Sequence, residues 1–365
     1  MKIFTINPGS TSTKVALFEN GVKVFAANVT HDVETLQGFG EIRKQFDYRK
    51  TTILRELGRS RIRLEGTDAF VGRGGGLVGL VGGTYPVNEI LLDHARRGLS
   101  VKHPATLGSQ LADHFARQYG GKAFVVNPPD VDEFEAMARV TGFSNVFRES
   151  RIHALNQKEV GIRYGEQHGK PYEECNLIIA HIGGGVSVAA HRRGRMVDAN
   201  DTVNGDGPMA PTRAGALPAM AIVKLCFSGK FSEHDLCDRL TRSGGLVDHL
   251  GTSDVREVLD RIQEGDRYAK LVFEAMIYQI GKHIGACAAV LRGDVDAILL
   301  TGGISHSRYL TDRLEEMVSF IAPVQTMAGE FEMEALASGA LRVLEGREEA
   351  KKYTGVPVWD GALVS

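Results

Sequence analysis

Residues 3–14 read Ile-Phe-Thr-Ile-Asn-Pro-Gly-Ser-Thr-Ser-Thr-Lys, and this stretch decides the fold. Four residues of strand character lead into Asn7, and the Pro8-Gly9 pair reverses the chain. A second apolar run follows Lys14 and ends at Asn20-Gly21, a dipeptide typical of hairpin turns. The stretch therefore predicts a strand, a turn and a second strand.

The turn between these strands is rich in groups that bind anions. Gly9 lets the backbone approach a ligand, Ser10 and Ser12 offer hydroxyl donors, and Lys14 adds a positive charge. A Walker loop would instead need Gly-Lys-Ser/Thr at the start of a helix, whereas the residues after Lys14 alternate as in a strand. We therefore predict a phosphate site of β-hairpin type. The alternative is an N-terminal strand with an ordinary polar turn.

Length, charge and cysteine content narrow the class of protein. The 365 residues exceed what one hydrophobic core usually serves, so two domains are expected. A formal net charge of -2 and the lack of long basic runs argue against nucleic-acid binding. The four cysteines show no close pairing and are expected to be reduced, buried thiols. The chain starts directly with a strand, and no apolar run approaches the roughly 18 residues of a membrane helix. We expect a cytoplasmic protein without a membrane segment.

The N-terminal pattern occurs a second time. Residues 177–191 read Leu-Ile-Ile-Ala-His-Ile-Gly-Gly-Gly-Val-Ser-Val-Ala-Ala-His, again strand, glycine turn and strand. A third strand is predicted in each copy, over residues 22–29 and over residues 195–198. Two such meanders indicate an internal duplication, with both turns facing a shared cleft.

Further polar and glycine residues follow predicted buried strands. Gly302, Gly303 and Ile304 come after a strand at residues 296–300, and Asn127 follows a strand at residues 123–126. Open α/β sheets bind ligands beyond the carboxyl ends of their strands. These residues are therefore candidate ligand contacts, although a lone acidic turn would explain the segment after Asn127 as well.

Two arginines and two histidines complete the set of candidates. Arg73 lies in a glycine-rich loop and Arg213 lies between Pro211 and Gly215, so either guanidinium could be aimed at a ligand or simply solvated. His103 and His153 each precede a predicted helix, where a capping or packing role competes with a catalytic one.

Two segments of the chain resemble a known family. Segments 7–14 and 181–194 fit the two signature patterns of the acetokinase family at every specified position. The resemblance covers the whole chain and implies a duplicated α/β fold of the actin, Hsp70 and acetokinase type, which is ribonuclease H-like, with a nucleotide cleft between two domains. The expected domains are residues 1–152, joined by the C-terminal helical segment 335–365, and a nucleotide-binding domain at residues 153–334. ATP or ADP and Mg²⁺ are the implied cofactors, and a homo-oligomer, a dimer or larger, is the implied assembly.

The resemblance also implies roles for individual residues. The residues near the transferred phosphoryl group would be Asn7, Ser10, Ser12 and Lys14. The nucleotide phosphates would contact His181, Gly183, Gly184 and Gly185, and the adenosine would contact Gly302, Gly303 and Ile304. The catalytic positions would be Asn7, His103, Asn127, His153 and Arg213, and the substrate would contact Arg73 and His103. The magnesium-linked residues would be Asn7 and Glu334, with Glu332 as the alternative.

The implied activity is reversible phosphoryl transfer between ATP and a short-chain fatty-acid carboxylate. Pro8, the Arg-Gly-Gly segment at Arg73 and the Asp-Gly-Pro segment at Asp206 are similar to members that act on butanoate rather than acetate. Acetate, propionate and isobutyrate are alternative acids. Because a carboxylate is already ionised at neutral pH, it needs no general base, and fixed charges such as Arg213 would carry the catalysis.

One residue departs from the family pattern, since Asn127 stands where the family has a catalytic aspartate. Either the amide still orients Arg213 while Asp130, Asp132 or Glu133 anchors magnesium, or the protein is an impaired nucleotide-binding relative. A sugar kinase of the same superfold would need an aspartate base, which no evident motif supplies. A chaperone-like relative would hydrolyse ATP slowly and transfer nothing.

Overall fold

The computed structural model describes residues 1–362, and the chain divides into two units. Unit 1 is Met1–Asp132 with the segment from Phe331 onward, and unit 2 is Glu133–Glu330. The division falls after Asp132 and after Glu330, whereas the sequence analysis placed domain boundaries after residues 152 and 334. As boundaries of folding domains, those positions stay a prediction.

The N-terminal strands of unit 1 form the predicted meander. Strands β1 (Lys2–Pro8), β2 (Ser12–Glu19) and β3 (Val22–Thr30) are antiparallel neighbours, and Asn7 of β1 lies opposite Lys14 of β2. Three further strands complete a sheet of order β3-β2-β1-β4-β6-β5, namely β4 (Ala69–Gly72), β5 (Thr84–Pro86) and β6 (Lys122–Val126). Since β4 and β6 both run parallel to β1, Asn7, Arg73 and Asn127 all lie at the carboxyl edge of this sheet.

Helices cover this sheet and bury its apolar face. They are α1 (Val33–Gly38), α2 (Phe46–Arg59), α3 (Glu89–Arg97) and α4 (Thr106–Tyr119). Phe4, Phe70 and Phe115 are fully buried, and each pair of these rings has centroids 6.1 to 6.2 Å apart. Such aromatic packing fixes the position of β1, and so of the turn that follows it.

Unit 2 repeats the arrangement. Its sheet has the order β11-β10-β7-β8-β9, with strands β7 (Asn176–Ile182), β8 (Val186–Arg192), β9 (Arg195–Ala199), β10 (Ala297–Gly302) and β11 (Val324–Ala328). Strands β7, β8 and β9 form an antiparallel meander, and β10 runs parallel to β7 as β4 does to β1. The predicted duplication is thus confirmed at the level of sheet topology.

The helices of unit 2 lie between and around these strands. They are α5 (Ala136–Arg139), α6 (Ala154–His168), α7 (Ala219–Cys226), α8 (Glu233–Thr241), α9 (Leu246–Leu250), α10 (Val255–Gln263), α11 (Arg267–Val290) and α12 (Arg308–Val318). The longest of these helices is α11, and its Phe273, Met276 and Ile280 are fully buried in the core. Small residues let neighbours approach it, since a Cβ on Gly281 would lie 2.6 Å from the Met317 methyl group on α12.

The last helix returns the chain to unit 1. Helix α13 (Glu332–Leu344) packs on β6, where a Cβ on Gly339 would lie 2.5 Å from a Val126 methyl group. The predicted helical segment at residues 335–365 is helical only at its start, and its residues 363–365 lie outside the described part of the chain. After Leu344 the described chain is non-helical and pairs through backbone hydrogen bonds, from the amide of Lys351 to the carbonyl of Thr84 and from that of Val358 to Gly79.

Two features bear on the class of protein. All four cysteines are free thiols, but only Cys175 and Cys287 are buried, because Cys226 and Cys237 lie on the exposed helices α7 and α8. The expectation of four buried thiols was therefore wrong for two of them. Within residues 1–362, no helix has both the length and the apolar character needed to cross a bilayer.

A buried ion pair in unit 2 makes the fold testable. Lys158 on α6 lies 2.9 Å from the carboxylate of Glu133, which also accepts a hydrogen bond from the Met196 amide at 2.8 Å, and both side chains are over 90 % buried. We expect Lys158→Met to lower the free energy of unfolding by about 3 to 5 kcal/mol, because it leaves Glu133 charged and buried. Urea unfolding followed by circular dichroism measures the loss.

The double variant Lys158→Met/Glu133→Gln is the control for this prediction. In the double variant the glutamine side chain carries no charge and its oxygen still accepts from the Met196 amide, so part of the stability should return. Equal stability of the wild type and the single variant would contradict the prediction.

Candidate functional site

In the turn between β1 and β2, carbonyl groups accept hydrogen bonds within the protein, whereas several N–H and O–H donors do not form any. The Ser12 carbonyl accepts from the Gly9 amide at 2.7 Å, and the Thr11 carbonyl accepts from the His31 amide at 2.9 Å. Within the described chain, the amides of Ser10 and Thr11 donate to no protein group, and the hydroxyls of Ser10, Thr11 and Ser12 form no hydrogen bond. A turn of this kind is an anion-binding concavity.

A fully buried arginine supports this turn from inside unit 1. Arg49 on α2 donates to the Ser12 carbonyl at 3.2 Å and to the Thr13 hydroxyl at 2.9 Å. Arg49 was not among the site residues predicted from the sequence. The signal was present, since Arg49 lies on the same helical face as Ile53 and Leu57, which are buried.

Asn7, Arg73 and Glu332 come together at the carboxyl edge of the unit 1 sheet. The Asn7 amide donates to a Glu332 carboxylate oxygen at 2.6 Å, and Arg73 Nη2 lies 3.7 Å from the other oxygen. Arg73 is only 12 % exposed, and its Nη1 is buried without a hydrogen-bond partner in the part of the chain described here. An unsatisfied buried guanidinium nitrogen is costly unless an anion reaches it.

The two candidate metal-linked glutamates have different environments. Glu332 contacts Asn7 and Arg73, whereas Glu334 forms an ion pair with Lys23 at 2.7 Å. Of the two, Glu332 therefore lies beside Asn7 and Arg73, because positions two apart on a helix point to different faces. Residues 1–362 contain no cluster of three or more histidine, cysteine or acidic side chains that could hold a metal by themselves.

His103 lies near the same arginines. Its pKa is lowered, first because the surrounding protein partly desolvates the ring and then because Arg73 and Arg49 bring positive charge close. The residue remains exposed, and its Nδ1 accepts from the Ala105 amide at 3.1 Å. The ring is thus neutral near pH 7. The positive charge of the neighbouring Arg73 favours an anionic ligand beside it.

Asn127 has a structural task at the end of β6. Its side-chain oxygen accepts from the main-chain amide of Gly83 at 2.7 Å, and its main-chain amide donates to the Gly83 carbonyl. Its backbone has φ +38°. Asparagine and aspartate tolerate this left-handed conformation better than most residues. Among the carboxylates suggested to take over magnesium binding, Glu133 is in the buried ion pair with Lys158, and Asp130 accepts a hydrogen bond from Ser100.

The glycine turn of unit 2 has the same polarity as the first turn. Gly183 donates to the Gly185 carbonyl at 3.0 Å, and the Gly184 carbonyl accepts from the Thr212 hydroxyl at 2.9 Å. As far as residues 1–362 show, the amides of Gly184 and Gly185 have no acceptor. Each hairpin therefore has internally hydrogen-bonded carbonyls, those of Thr11 and Ser12 in the first turn and of Gly184 and Gly185 in the second, and leaves N–H groups for a ligand.

Arg213 lies directly against this turn. A Cβ on Gly185 would be 2.0 Å from Arg213 Nη1, so only glycine leaves room for the guanidinium. This Nη1 is buried and has no hydrogen-bond partner among the described residues. Burial lowers the pKa of Arg213, Asp201 opposes the shift, and the guanidinium stays charged at pH 7. The sequence-predicted pair of glycine turn and arginine thus comes together.

Three polar residues hold the two histidines of unit 2. The rings of His153 and His181 stack with centroids 4.1 Å apart, His153 Nδ1 lies 2.9 Å from the Ser187 hydroxyl, and His181 Nδ1 lies 2.9 Å from the Asn156 side-chain oxygen. Thr301 also donates to that oxygen, at 3.2 Å. Ser187, Asn156 and Thr301 were not predicted as site residues.

The third glycine segment lies beside the second turn. Thr301 pairs with His181 in the parallel register of β10 and β7, so Gly302 follows at the same sheet edge as Ile182. Gly302 has φ +92°, and a Cβ there would be 2.3 Å from the Ile182 carbonyl. Gly303 has open space at its Cβ position, as expected where a planar ring lies against backbone. Ile304 follows in a short 3-10 helix, Gly303–His306.

Comparison with known proteins adds an independent line of evidence. The model of the acetokinase family matches residues 145–320. Butyrate kinase 2 of Clostridium acetobutylicum is 46 % identical over 96 % of this chain and 99 % of its own length, and probable butyrate kinase 2 of Caldanaerobacter subterraneus subsp. tengcongensis has the same values. Porphyromonas gingivalis acetate kinase superimposes with a TM-score of 0.76 at 18 % identity, covering 94 % of this chain and all of that one. The fold class predicted from the sequence is confirmed.

The contact between Gly185 and Arg213 gives a prediction for anion binding. In Gly185→Ala the new methyl group must displace the guanidinium, and because that is the end of a flexible side chain the fold should survive. We expect the Kd for pyrophosphate, measured by calorimetry, to rise at least about tenfold as charged hydrogen bonds are lost.

Gly285→Ala on α11 is the matched control, because a Cβ there meets nothing within 4 Å. Its Kd should equal that of the wild type. An unchanged Kd in Gly185→Ala would remove Arg213 from the anion site.

Proposed function

Since the chain belongs to the acetokinase family, we propose that it is a butyrate kinase. It transfers the γ-phosphoryl group of ATP to the carboxylate of butanoate, giving butanoyl phosphate and ADP, and runs the reaction in both directions. The observation that carries the proposal is the pair of hairpin turns that bind their own carbonyls and offer N–H groups outward. The choice of acid rests on the relatives, which are named butyrate kinases and match nearly the whole chain.

The chemistry requires positioning and charge rather than a base. A fatty-acid carboxylate is ionised at neutral pH and attacks phosphorus directly, so the negative charge that develops on the equatorial oxygens is what needs stabilisation. We assign that role to Arg213, whose buried Nη1 has no partner in the described chain, with His153 and Lys14 contributing. His181 and Gly183 to Gly185 hold the nucleotide phosphates, and Gly302 to Ile304 contact the adenosine.

Unit 1 supplies groups for the acid and the transferred phosphoryl group. The buried Nη1 of Arg73 suits a carboxylate, and neutral His103 lies in the field of the same arginine. Ser10, Ser12 and Asn7 face the phosphoryl group in this proposal. Asn127 keeps the loop at Gly83 in place through its side-chain oxygen, a task that does not depend on charge.

Mg²⁺ fits the donors that unit 1 provides. This ion commonly uses one or two carboxylates together with substrate phosphates and water, so a site without a three-residue cluster is no obstacle. We propose that Glu332 holds it, oriented by Asn7. When bound, the ion neutralises charge on the phosphate oxygens.

Two broader assignments follow from the family and stay proposals. We propose that the chain forms a homo-oligomer, a dimer or larger, and that it acts in the cytoplasm, where free thiols such as Cys226 and Cys237 on exposed helices remain reduced.

A hydroxamate assay for acyl phosphate, run with acids of two to six carbons, tests the function. We expect butanoate to give the highest kcat/KM, and acetate, propionate and isobutyrate to give lower values. Arg213→Ala should lower kcat at least about 100-fold, the usual loss when one such donor is removed. Phosphorylation of sugars but not acids would establish a sugar kinase instead, and ATP hydrolysis without transfer would establish a nucleotide-binding relative.

The two glutamates give a separate prediction for magnesium. Glu332→Gln should raise the Mg²⁺ concentration for half-maximal rate by about 10- to 100-fold, because the amide is a poor ligand for the ion. Glu334→Gln is the matched control, since that carboxylate pairs with Lys23 and should leave the Mg²⁺ dependence unchanged. Titration of the rate with Mg²⁺ at fixed ATP distinguishes them, and the reverse pattern would return the role to Glu334.

A further inference from the structure

The fully buried Arg49 is the least expected charge in unit 1. Its guanidinium donates to the carbonyls of Ser10 at 3.5 Å and Ser12 at 3.2 Å, to the Thr13 hydroxyl at 2.9 Å and to the Gln45 side-chain oxygen at 3.1 Å. All four acceptors are neutral. Across residues 1–362, no carboxylate forms an ion pair with it. A buried charge without a counter-ion is expensive, so a function should compensate for it.

Arg49 remains charged in spite of its burial. Desolvation lowers its pKa to about 10, which still leaves the guanidinium protonated at pH 7. The same burial, together with the charge of Arg49, lowers the pKa of His31 to about 4, so that ring is neutral. Arg49 is therefore the positive charge that lies beneath this turn.

The hydrogen bonds of His31 follow from this charge state. Arg49 can only donate to the Thr13 hydroxyl, and His31 Nε2 lies 2.8 Å from the same hydroxyl oxygen. The His31 main-chain amide holds the Thr11 carbonyl at 2.9 Å. Arg49 and His31 thus bind the carbonyls of Ser10, Thr11 and Ser12 from inside.

The turn is therefore electropositive on the side that is open to a ligand. The carbonyls of residues 10–12 accept hydrogen bonds within the protein, whereas the amides of Ser10 and Thr11 and the three hydroxyls of these residues have no protein acceptor in the described structure. An inward-pointing carbonyl cannot repel a phosphate oxygen, and a positive charge behind the turn adds to its attraction.

We propose that Arg49 is a positioning residue for phosphoryl transfer, which fixes the polarity of the Ser10–Ser12 turn and whose charge is balanced by the transferred phosphoryl group. This inference rests on the proposed function, because it takes the γ-phosphate of ATP as the anion that the turn receives. It assigns Arg49 no contact with substrate, and it predicts an effect confined to the ligand that carries a third phosphate.

The test compares the binding of ATP and ADP by calorimetry, without an acid acceptor. In Arg49→Met the Kd for ATP should rise at least about tenfold, because charged donors lose their orientation, while the Kd for ADP should change by less than about threefold. Leu57→Ala, on the buried face of the same helix, is the control. It should lower the melting temperature through lost packing and leave the ratio of the two Kd values at the wild-type value.

The outcomes separate a positioning role from a structural one. A selective loss of ATP affinity supports the inference, whereas equal weakening of both nucleotides, or a change of ratio in Leu57→Ala of the same size, overturns it. If Arg49→Met does not fold, Arg49→Lys decides. It keeps the charge without the planar fork, so a selective loss of ATP affinity supports the inference and a wild-type ratio overturns it.

The rate of acyl phosphate formation is a second measurement, and it distinguishes a failure of this inference from a failure of the proposed function. If the wild type makes butanoyl phosphate, Arg49→Lys should show a lower kcat with little change in the KM for butanoate. If the wild type makes no acyl phosphate, the proposed function fails, but the comparison of ATP and ADP still decides the role of Arg49.

Discussion

A turn that binds phosphate must direct its amides outward and its carbonyls inward, and both hairpins of this chain meet that requirement. Peptide groups carry both a donor and an acceptor, so a bend between two strands would ordinarily expose some of each. In unit 1 the inward acceptors are held by Gly9, Arg49 and His31. In unit 2 they are held by Gly183 and Thr212. The same polarity is thus reached with different side chains, which indicates that the polarity, and not the sequence of either turn, is what the duplicated fold keeps.

The identity of the acceptor explains what surrounds these turns. Transfer to a hydroxyl needs a base, whereas transfer to an ionised carboxylate needs cations that stay in place as charge develops. The structure provides guanidinium groups whose positions are set by their neighbours, Arg213 by the bare backbone of Gly185 and Arg73 by Glu332. Each has a buried nitrogen with no protein acceptor within residues 1–362. In a folded protein such nitrogens are a cost, and a bound anion would remove it.

The sequence predicted the strands, the duplication and the turns well, because hydrophobic alternation and glycine placement are local signals. Side-chain partners were harder, since they depend on which face of an element is buried. Glu332 and Glu334 are two positions apart, and only the orientation of α13 shows that the first meets Asn7 while the second meets Lys23. Arg49 was not predicted as a site residue, although Ile53 and Leu57 mark its face as buried. Tertiary contacts decide which partner each of these side chains has. A charged residue on an apolar helix face is the sequence feature that indicates a buried charge.

Asn127 shows how a departure from a family pattern can be compatible with the same chemistry. Its backbone is left-handed, and its side-chain oxygen holds the Gly83 amide, so the residue must be one that tolerates positive φ and carries a short acceptor. Asparagine and aspartate both satisfy this condition. They differ in charge, and a reaction whose acceptor is already ionised does not require that charge as a base. The substitution therefore keeps the acceptor that holds Gly83 and changes the charge and the second polar atom of the side chain, so its effect on rate should come from these groups rather than from a changed fold.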